Sequence, residues 1–380
     1  MSDTKIYKGL AGVVADYTAV SKVNPDTNSL LYRGYPVQDL AANCSFEEVA
    51  YLLWHGELPT AEQLVEFKKE CWNSRELNQR TIDVVMSMPL DCHPMDVLRC
   101  AISFLGADDE YHFTESIEHI KKTGRALLSK IPTIVALDIR RRRGEGYITP
   151  RNDLGFTENF LWMVFGDGPD SPLNKPGDVE CFDKSMILYA EHSFNASTFA
   201  ARVVTSTQSD VWSSIVAAIG ALKGPLHGGA NEAVMHTMIE IDDPARADDW
   251  AKAKLARKEL VMGFGHRVYK KGDSRVPTME AAFKKLASEH PGSEKWVEMY
   301  DILAQTMYDN TSINIRPNLD FPTGPAYYIM GFDIPFFTPI FVMSRITGWT
   351  AHIIEQYENN SLIRPLSAYN GRDQREVPTA

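Results

Sequence analysis

A chain of 380 residues is long enough to bury a large core, as one big domain or as two to three smaller ones. Its hydrophobic fraction of 44% and charged fraction of 23% are typical of soluble globular proteins, and no apolar run reaches the length of a membrane span. The net charge of -11 argues against nucleic acid or an anionic membrane as the main partner. An anionic substrate would therefore need a local cluster of arginines.

The five cysteines are scattered, odd in number and without a CxxC pair, a pattern that favours reduced thiols over disulfides or a zinc site. The N-terminal stretch MSDTKIYKG lacks the apolar core of a signal peptide. We therefore expect a cytoplasmic protein.

The predicted elements are extended only at the start, where turn residues separate short β-branched pieces at residues 6–35, as in small hairpins or an N-terminal arm. Two capping boxes, Ser45 to Glu48 and Thr60 to Gln63, then predict helix starts. Helical periodicity follows at 76–88, 94–105, 114–128, 131–143, 179–207, 210–223, 230–241, 246–261, 276–289, 293–310, 324–331 and 336–357. The fold class is therefore mostly α, with roughly 15 to 20 helices and no solenoid repeat.

A run of four arginines at 140–143 is compatible with a phosphate site. It also ends a predicted helix before Gly144, where cations complement the helix dipole. The second interpretation is favoured.

The stretch GPLHGGANE presents His227 between two predicted helices. Gly224 and Pro225 end the first helix, and Gly228 and Gly229 let the backbone turn closely beneath the imidazole. Such a turn can aim a histidine into a cleft, although an exposed loop histidine is equally compatible with this stretch alone.

Two further stretches contain histidines. In AEHSFNAST, His192 and Asn195 would share one face of the long predicted helix, although a core histidine is the favoured interpretation of this stretch alone. In GFGHRVYKKGDSR, Gly263 and Gly265 allow a flat molecule to approach the backbone next to His266. Four cations follow, which favours an anion or phosphate site over a solvated face: Arg267, Lys270, Lys271 and Arg275.

Asp320 lies between Leu319 and Phe321 in a turn bounded by Pro and Gly. Apolar neighbours raise a carboxyl pKa and make a usable general base, although a turn-forming aspartate is equally common. Arg345 and Arg364 also stand among apolar residues. A buried arginine needs an anionic partner, either a structural acidic residue or a substrate carboxylate.

Together, six motifs resemble the citrate synthase family over nearly the whole chain: AEHSFNAST, GPLHGGANE, GFGHRVYK, NLDFPTG, SRITGW and RPLSAYNG. The N-terminal KGLAGVVADYTAVSKV, the stretch GDSR and the short chain are most similar to the bacterial 2-methylcitrate synthase branch. Many relatives have proline where Ser274 stands, but the neighbouring arginine is present.

The resemblance implies condensation of oxaloacetate with an acyl-CoA, followed by thioester hydrolysis, without a metal or cofactor. Asp320 would remove a proton from the acyl carbon, His227 would bind the thioester oxygen, and His266 would polarise the ketone and protonate the new alkoxide. Propionyl-CoA, which gives 2-methylcitrate, is the favoured substrate. Acetyl-CoA, or both substrates, stays open because one methylene in an apolar pocket is worth only about 1–3 kcal/mol.

The resemblance also implies the binding residues. Oxaloacetate would be bound by His192, Arg275, Arg345 and Arg364, the last from the second subunit of a homodimer. CoA would contact the backbone of Val261, Met262, Gly263, Phe264 and Gly265, and its phosphates would contact Arg267, Lys270 or Lys271. The site would lie in a cleft between a large helical domain, 1–227 and 332–380, and a small helical domain, 228–331. The chain has no room for the N-terminal module of NADH-sensitive hexameric relatives, so we expect a dimer without that regulation.

Two other classes of function compete with this one. A metal-dependent hydrolase could use the same histidines and Asp320, but the sequence lacks HExxH or a comparable ligand spacing. A helical interaction scaffold would need repeats, which the sequence also lacks.

Overall fold

The structure is a computed structural model that describes residues 6–24, 27–109, 116–266, 268–269, 272–312 and 315–378. This part of the chain is mostly helical, as predicted, with sixteen α-helices and one small sheet. The helices are α1 (Val37–Asn43), α2 (Phe46–His55), α3 (Ala61–Trp72), α4 (Gln79–Ser87), α5 (Pro94–Ala107), α6 (Ile117–Arg142), α7 (Phe156–Phe165), α8 (Pro176–Tyr189), α9 (Ala196–Ser206), α10 (Val211–Leu222), α11 (Ala230–Ile241), α12 (Ala247–Ala256), α13 (Val276–Ser288), α14 (Glu294–Asn310), α15 (Asp320–Ile329) and α16 (Phe337–Glu358). None of them is both long enough and apolar enough to cross a membrane.

The sheet confirms the predicted extended start. Strands β1 (Ser21–Asn24), β2 (Ser29–Tyr32) and β3 (Tyr35–Pro36) form an antiparallel sheet in that order, with Ser21 opposite Tyr32. The buried Tyr32 hydroxyl lies 3.0 Å from the Glu191 carbonyl oxygen and 3.3 Å from that of Leu188. The sheet therefore packs directly against the end of α8.

Both predicted capping boxes are confirmed. The Ser45 hydroxyl accepts the Glu48 backbone N–H, and the Ser45 backbone N–H donates to the Glu48 carboxylate; Thr60 and Gln63 exchange the same pair of bonds. These contacts satisfy backbone donors that the helix itself cannot pair.

Two predicted helices, 114–128 and 131–143, are wrong as separate elements, because α6 runs through both with Pro132 inside it. Proline removes one backbone hydrogen bond and usually ends a helix. Here both halves are buried and α6 packs along α16, so tertiary contacts outweigh the local penalty.

The predicted helix at 179–207 is two helices, α8 and α9, separated by residues 190–195. Ser193 adopts a positive φ of 50°, and the side chain of Asn195 caps α9 by accepting the Thr198 backbone N–H. His192 therefore lies in the break and does not share a helical face with Asn195, contrary to the prediction.

The four arginines at 140–143 all contact protein groups at the end of α6, as the helix-end interpretation predicts. Arg141 and Arg142 both bind the carboxylate of Asp138, and Arg143 binds that of Asp333. Arg140 donates to the Val164 carbonyl. These contacts leave no argument for a phosphate site here.

Helix α16 lies at the centre of the core, where it contacts α2, α6, α8, α9 and α10. Helices α11 to α15 contact one another and meet the rest of the chain mainly through α13 on α8 and α11 on α16. The division into domains at 227/228 and 331/332 stays a prediction. The helix predicted at 324–331 begins earlier, so Asp320 is the first residue of α15 and does not lie in a free turn.

Candidate active site

His227 lies on the turn between α10 and α11. Its backbone N–H donates to the Gly224 carbonyl, and the Gly228 N–H donates to that of Leu222, both at 2.9 Å. A side chain at Gly228 would come within 2.5 Å of the Leu222 carbonyl oxygen. This position therefore requires glycine, as the sequence suggested.

The protonation of His227 follows from its neighbours. The backbone N–H of Ser197 lies 3.3 Å from Nε2, and the Ser197 hydroxyl lies 2.8 Å from the same nitrogen. A backbone N–H can only donate, so Nε2 acts as an acceptor. The Asn195 Oδ1, 3.2 Å from the same nitrogen, is also an acceptor but already receives the Thr198 N–H, and the proton is placed on Nδ1. Burial, together with the charge of Arg345, lowers the pKa of His227 to about 3, so the ring is neutral and can donate through Nδ1.

His266 has the opposite tautomer. Its Nδ1 accepts backbone N–H groups from Val268 at 3.1 Å and Tyr269 at 3.4 Å, which places the proton on Nε2. Burial and the nearby Arg275 lower the pKa of His266 to about 4. The ring centres of His266 and His192 lie 4.9 Å apart, so both imidazoles face one space.

Asp320 is held by two contacts at the start of α15. Its Oδ1 accepts the hydroxyl of Tyr189 at 2.7 Å, and its backbone N–H donates to the side chain of Asn318 at 3.1 Å. Burial raises the pKa of Asp320 to about 6, although the hydrogen bond from Tyr189 acts in the opposite direction. The carboxylate is thus a stronger base than an exposed aspartate and is still ionised at neutral pH.

Arg345 is a buried cation with an unused donor. Its Nε donates to the Tyr189 carbonyl at 2.6 Å, and its guanidinium stacks 4.7 Å from the centre of the Phe341 ring. Its Nη1 is buried and has no hydrogen-bond partner among the described residues. Burial lowers the pKa of Arg345 to about 10, but the group remains charged at neutral pH.

In contrast to Arg345, most of the guanidinium donors of Arg275 already bind protein groups. Its Nε and Nη2 bind both oxygens of Asp273, at 2.9 and 2.7 Å, and its Nη1 lies 3.4 Å from the Leu188 carbonyl. Burial would raise the pKa of Asp273, but the Arg275 guanidinium holds it below its ordinary value. One edge of Arg275 is therefore fixed, and Nη1 is its least occupied donor.

His192 lies in the break between α8 and α9, with Nε2 3.2 Å from the Tyr269 hydroxyl. Burial, with the charge of Arg275, lowers its pKa well below the ordinary value. The preceding Glu191 is fully buried and binds His352 and Ser21, each at 2.8 Å. The backbone that carries His192 is thus fixed to α16 and to β1.

The segment 261–265 runs beside Asp320. Gly265 N–H donates to the Arg316 carbonyl and Asn318 N–H to that of Gly263, which makes a short antiparallel bridge. A side chain at Gly263 would come within 2.7 Å of Val234, so this close packing also requires glycine. Val261, Met262 and Phe264 lie in the same segment, whereas Arg267, Lys270 and Lys271 lie outside the described residues.

Arg364 is not part of this cluster within the chain. It is exposed in the irregular tail after α16, and among the described residues it makes no hydrogen bond or ion pair. The neighbouring Ile363 N–H donates to the Ser206 hydroxyl at 3.0 Å, which places the tail beside the end of α9.

Sequence reasoning missed three residues that hold the site together: Tyr189, Ser197 and Asp273. Tyr189 directly precedes AEHSFNAST and Ser197 lies within it, but neither has a chemistry that identifies it without its partner. Asp273 stands two residues before Arg275, and this spacing was the available signal for an ion pair. A base of raised pKa, two neutral histidine donors and buried arginines can abstract a carbon-bound proton, stabilise an enolate and hold a dianion.

Residues 9–366 match the family model described as citrate synthase, C-terminal domain. The chain belongs to the citrate synthase family. It is therefore an enzyme that transfers acyl groups.

Relatives in this family are similar over almost their entire length. The chain is 61% identical over 374 residues to 2-methylcitrate synthase 2 of Corynebacterium glutamicum, covering 98% of this chain and 97% of the relative. It is 58% identical to a protein named citrate synthase from Mycolicibacterium smegmatis, covering 98% and 97%. A solved citrate synthase of Thermoplasma acidophilum, in a ternary complex with carboxymethyl coenzyme A and oxaloacetate, has a TM-score of 0.92 at 32% identity, covering 98% of both chains.

Proposed function

We propose that this enzyme condenses oxaloacetate with propionyl-CoA and releases 2-methylcitrate and CoA. The observation that carries the proposal is the combination of a buried carboxylate of raised pKa, Asp320, with two neutral histidines of opposite tautomer, His227 and His266. The names of relatives 61% and 60% identical to this chain, 2-methylcitrate synthases of Corynebacterium glutamicum and Mycobacterium tuberculosis, support propionyl-CoA as the substrate.

In the first step, Asp320 takes a proton from the acyl carbon beside the thioester, and Nδ1–H of His227 donates to the thioester oxygen as it gains charge. Each unit of pKa mismatch between acid and base corresponds to about 1.36 kcal/mol. Raising the pKa of Asp320 from 3.8 to about 6 therefore lowers the barrier to proton transfer by roughly 3 kcal/mol. The hydrogen bond from His227 to the enolate oxygen lowers the barrier by several more kcal/mol.

In the second step, the enolate carbon forms a bond to the ketone carbon of oxaloacetate. Nε2–H of His266 polarises the ketone oxygen and then protonates the alkoxide. Water next cleaves the acyl–sulfur bond, so that the acyl group becomes a carboxylate and CoA leaves as a thiol. No metal or cofactor takes part, and acyl-CoA is a substrate.

Oxaloacetate carries two carboxylates, which suit planar guanidinium groups. The unpartnered Nη1 of Arg345 supports a carboxylate at this place, because a buried charged donor without a partner is costly. His192 and Nη1 of Arg275 complete the site within one chain. Arg364 acts from the second subunit of a homodimer, in keeping with its exposed position away from the cluster.

CoA binds along Val261, Met262, Gly263, Phe264 and Gly265, and Arg267, Lys270 or Lys271 contact its phosphates. The cleft closes over oxaloacetate and keeps water from the enolate. It lies between the large domain, residues 1–227 and 332–380, and the small domain, residues 228–331. We also infer a cytoplasmic location, in keeping with five cysteines that are all free.

Citrate synthase activity on acetyl-CoA is the second candidate, because a relative 58% identical to this chain carries the name citrate synthase. Both activities in one enzyme are compatible with the small energy of one methylene, about 1–3 kcal/mol. The two acyl-CoAs therefore have to be compared directly.

The test is a thiol-release assay with each acyl-CoA, with and without oxaloacetate, for the wild type and for Asp320→Ala. We expect CoA release that requires oxaloacetate, survives exhaustive chelation, is faster in kcat/KM with propionyl-CoA and is lost in Asp320→Ala with its circular dichroism unchanged. CoA release without oxaloacetate would contradict the condensation, and a strong acetyl-CoA preference would make the enzyme a citrate synthase. Full activity of a folded Asp320→Ala would remove the catalytic assignment.

A further inference from the structure

The motif that contains His227 ends in Glu232, which the proposed mechanism does not use. Glu232 lies in the first turn of α11, five residues after His227, and its side chain is only 15% exposed. Its Oε1 accepts the backbone N–H of Thr338 at 3.3 Å and lies within hydrogen-bond distance of the Thr338 hydroxyl. Its Oε2 lies 3.3 Å from Nε2 of His93.

These donors come from two other helices. Thr338 belongs to the first turn of α16, and His93 is the N-cap residue of α5. The Nδ1 of His93 accepts the backbone N–H of Met95 at 3.1 Å, so Nε2 carries a proton and donates to Glu232. One carboxylate thus joins the starts of α5, α11 and α16.

The same carboxylate is connected to the His227 turn. The hydroxyl of Thr338 also lies 3.3 Å from the carbonyl oxygen of Gly228, the residue directly after His227. Its single proton goes to one of the two oxygens, and Glu232 is the stronger acceptor because it is charged. The hydroxyl and backbone N–H of Thr338 therefore both join α16 to Glu232 of α11, the helix that begins three residues after His227, and the Gly228 carbonyl oxygen is only a neighbour of the hydroxyl.

Helix α16 also carries the groups that face His227. Phe341 and Arg345 follow Thr338 by three and seven residues and so lie on the same face of the helix. The Phe341 ring centre is 6.4 Å from that of His227. The Arg345 guanidinium stacks on the same Phe341 ring, 4.7 Å from its centre. A shift of α11 relative to α16 would therefore move His227 relative to Arg345, the cation proposed to bind oxaloacetate.

We propose that Glu232 is a positioning residue that fixes the His227 turn to α16 through Thr338, and so sets where Nδ1–H meets the thioester oxygen. This inference rests on the proposed function of His227. A misplacement of about 1 Å lowers a rate by up to roughly a hundred-fold. The affinity for oxaloacetate should change little, because the arginines proposed to bind it are held by other contacts.

The experiment compares Glu232→Ala, Thr338→Val and Thr338→Ser with the wild type in kcat and in the calorimetric Kd of oxaloacetate. We expect Glu232→Ala and Thr338→Val to lower kcat roughly ten- to a hundred-fold. Thr338→Ser, which keeps the hydroxyl, should restore kcat, and the Kd should stay within roughly twofold. Glu298→Ala, an exposed position on α14, is the control for losing a surface carboxylate.

Unchanged kcat in a folded Glu232→Ala would overturn the inference, and so would a loss of oxaloacetate affinity that matches the loss of kcat. If Glu232→Ala does not fold, Thr338→Val against Thr338→Ser decides, because equal kcat values for these two also overturn it. Failure of the proposed function is a separate result, since it would be seen as the absence of oxaloacetate-dependent CoA release in the wild type.

Discussion

The Tyr189 hydroxyl donates a 2.7 Å hydrogen bond to Oδ1 of Asp320 across 131 residues of sequence. The same tyrosine accepts Nε of Arg345 at its backbone carbonyl. The last residue of α8 therefore contacts both the proposed base and the buried guanidinium that we propose to bind oxaloacetate. Its hydroxyl stabilises the ionised carboxylate, which limits how far burial can raise the pKa of Asp320.

Replacing Tyr189 by Phe should raise the pKa of Asp320 above about 6, because the carboxylate loses a donor. The base must be ionised, so activity is lost as pH falls through this pKa. The acid limb of kcat/KM should move to higher pH by about one unit, the equivalent of one hydrogen bond to a charged group. Tyr327→Phe is the matched control, since this buried tyrosine pairs with Ser185 at 2.8 Å. Superimposable profiles for the two variants would contradict the role of Tyr189.

Asp320→Asn should lower kcat by about a thousand-fold, because the amide cannot take a proton. It should also stabilise the substrate-free enzyme at pH 8. The folded pKa of about 6 lies above the ordinary 3.8, so ionisation opposes folding as pH rises through this window. The gain should be on the order of 2–3 kcal/mol at pH 8 and vanish near pH 4. Thermal unfolding at both pH values measures it, and equal Tm differences at the two would argue against a buried carboxylate.

Arg345→Lys should weaken oxaloacetate binding by about a hundred-fold, since the three donors of lysine share one nitrogen, which cannot span from the Tyr189 carbonyl to the place of Nη1 as the planar guanidinium does. Titration calorimetry measures this Kd. The control is Arg202→Lys, a buried arginine whose Nη1 already binds Glu355 at 2.8 Å. That variant should lose stability and keep its affinity. Equal affinity losses in both variants would indicate a general effect of buried charge.

Arg364→Leu and Asp320→Asn should each be inactive and should complement each other when co-expressed. If Arg364 completes the site of the partner subunit, random pairing makes half of the dimers mixed, and each mixed dimer has one intact site. Activity should then return to about one quarter of the wild type. Separate expression of the two variants, which gives no mixed dimers, should abolish the regained activity. Co-expressed variants that stay inactive would place Arg364 outside the shared site.

Some features follow from short stretches of sequence. The capping boxes at Ser45 and Thr60 involve residues three positions apart, and their bonds form within one turn of helix. The glycines at 228 and 263 were recognisable because only glycine permits such close backbone approach. The six motifs identified the family and supplied the site residues that we propose, because each carries its chemistry in a few adjacent side chains.

Other features depend on which distant segments pack together. Pro132 lies inside α6 because α16 packs along it, although the local rule predicts a break. Residues 190–195 interrupt a stretch of helical periodicity, because the buried Glu191 is held by Ser21 and His352 from opposite ends of the chain. No window of sequence contains both partners of these contacts.

His227 combines both kinds of information. The sequence by itself determined that a histidine stands on a Gly- and Pro-bounded turn and which family uses one there. Only the tertiary structure decided its tautomer, through the Ser197 N–H of another helix, and its fixed position, through Glu232 and Thr338. The reason is physical: turn formation is local, whereas the pairing of a buried polar atom is set by whichever distant donor the packed core brings to it.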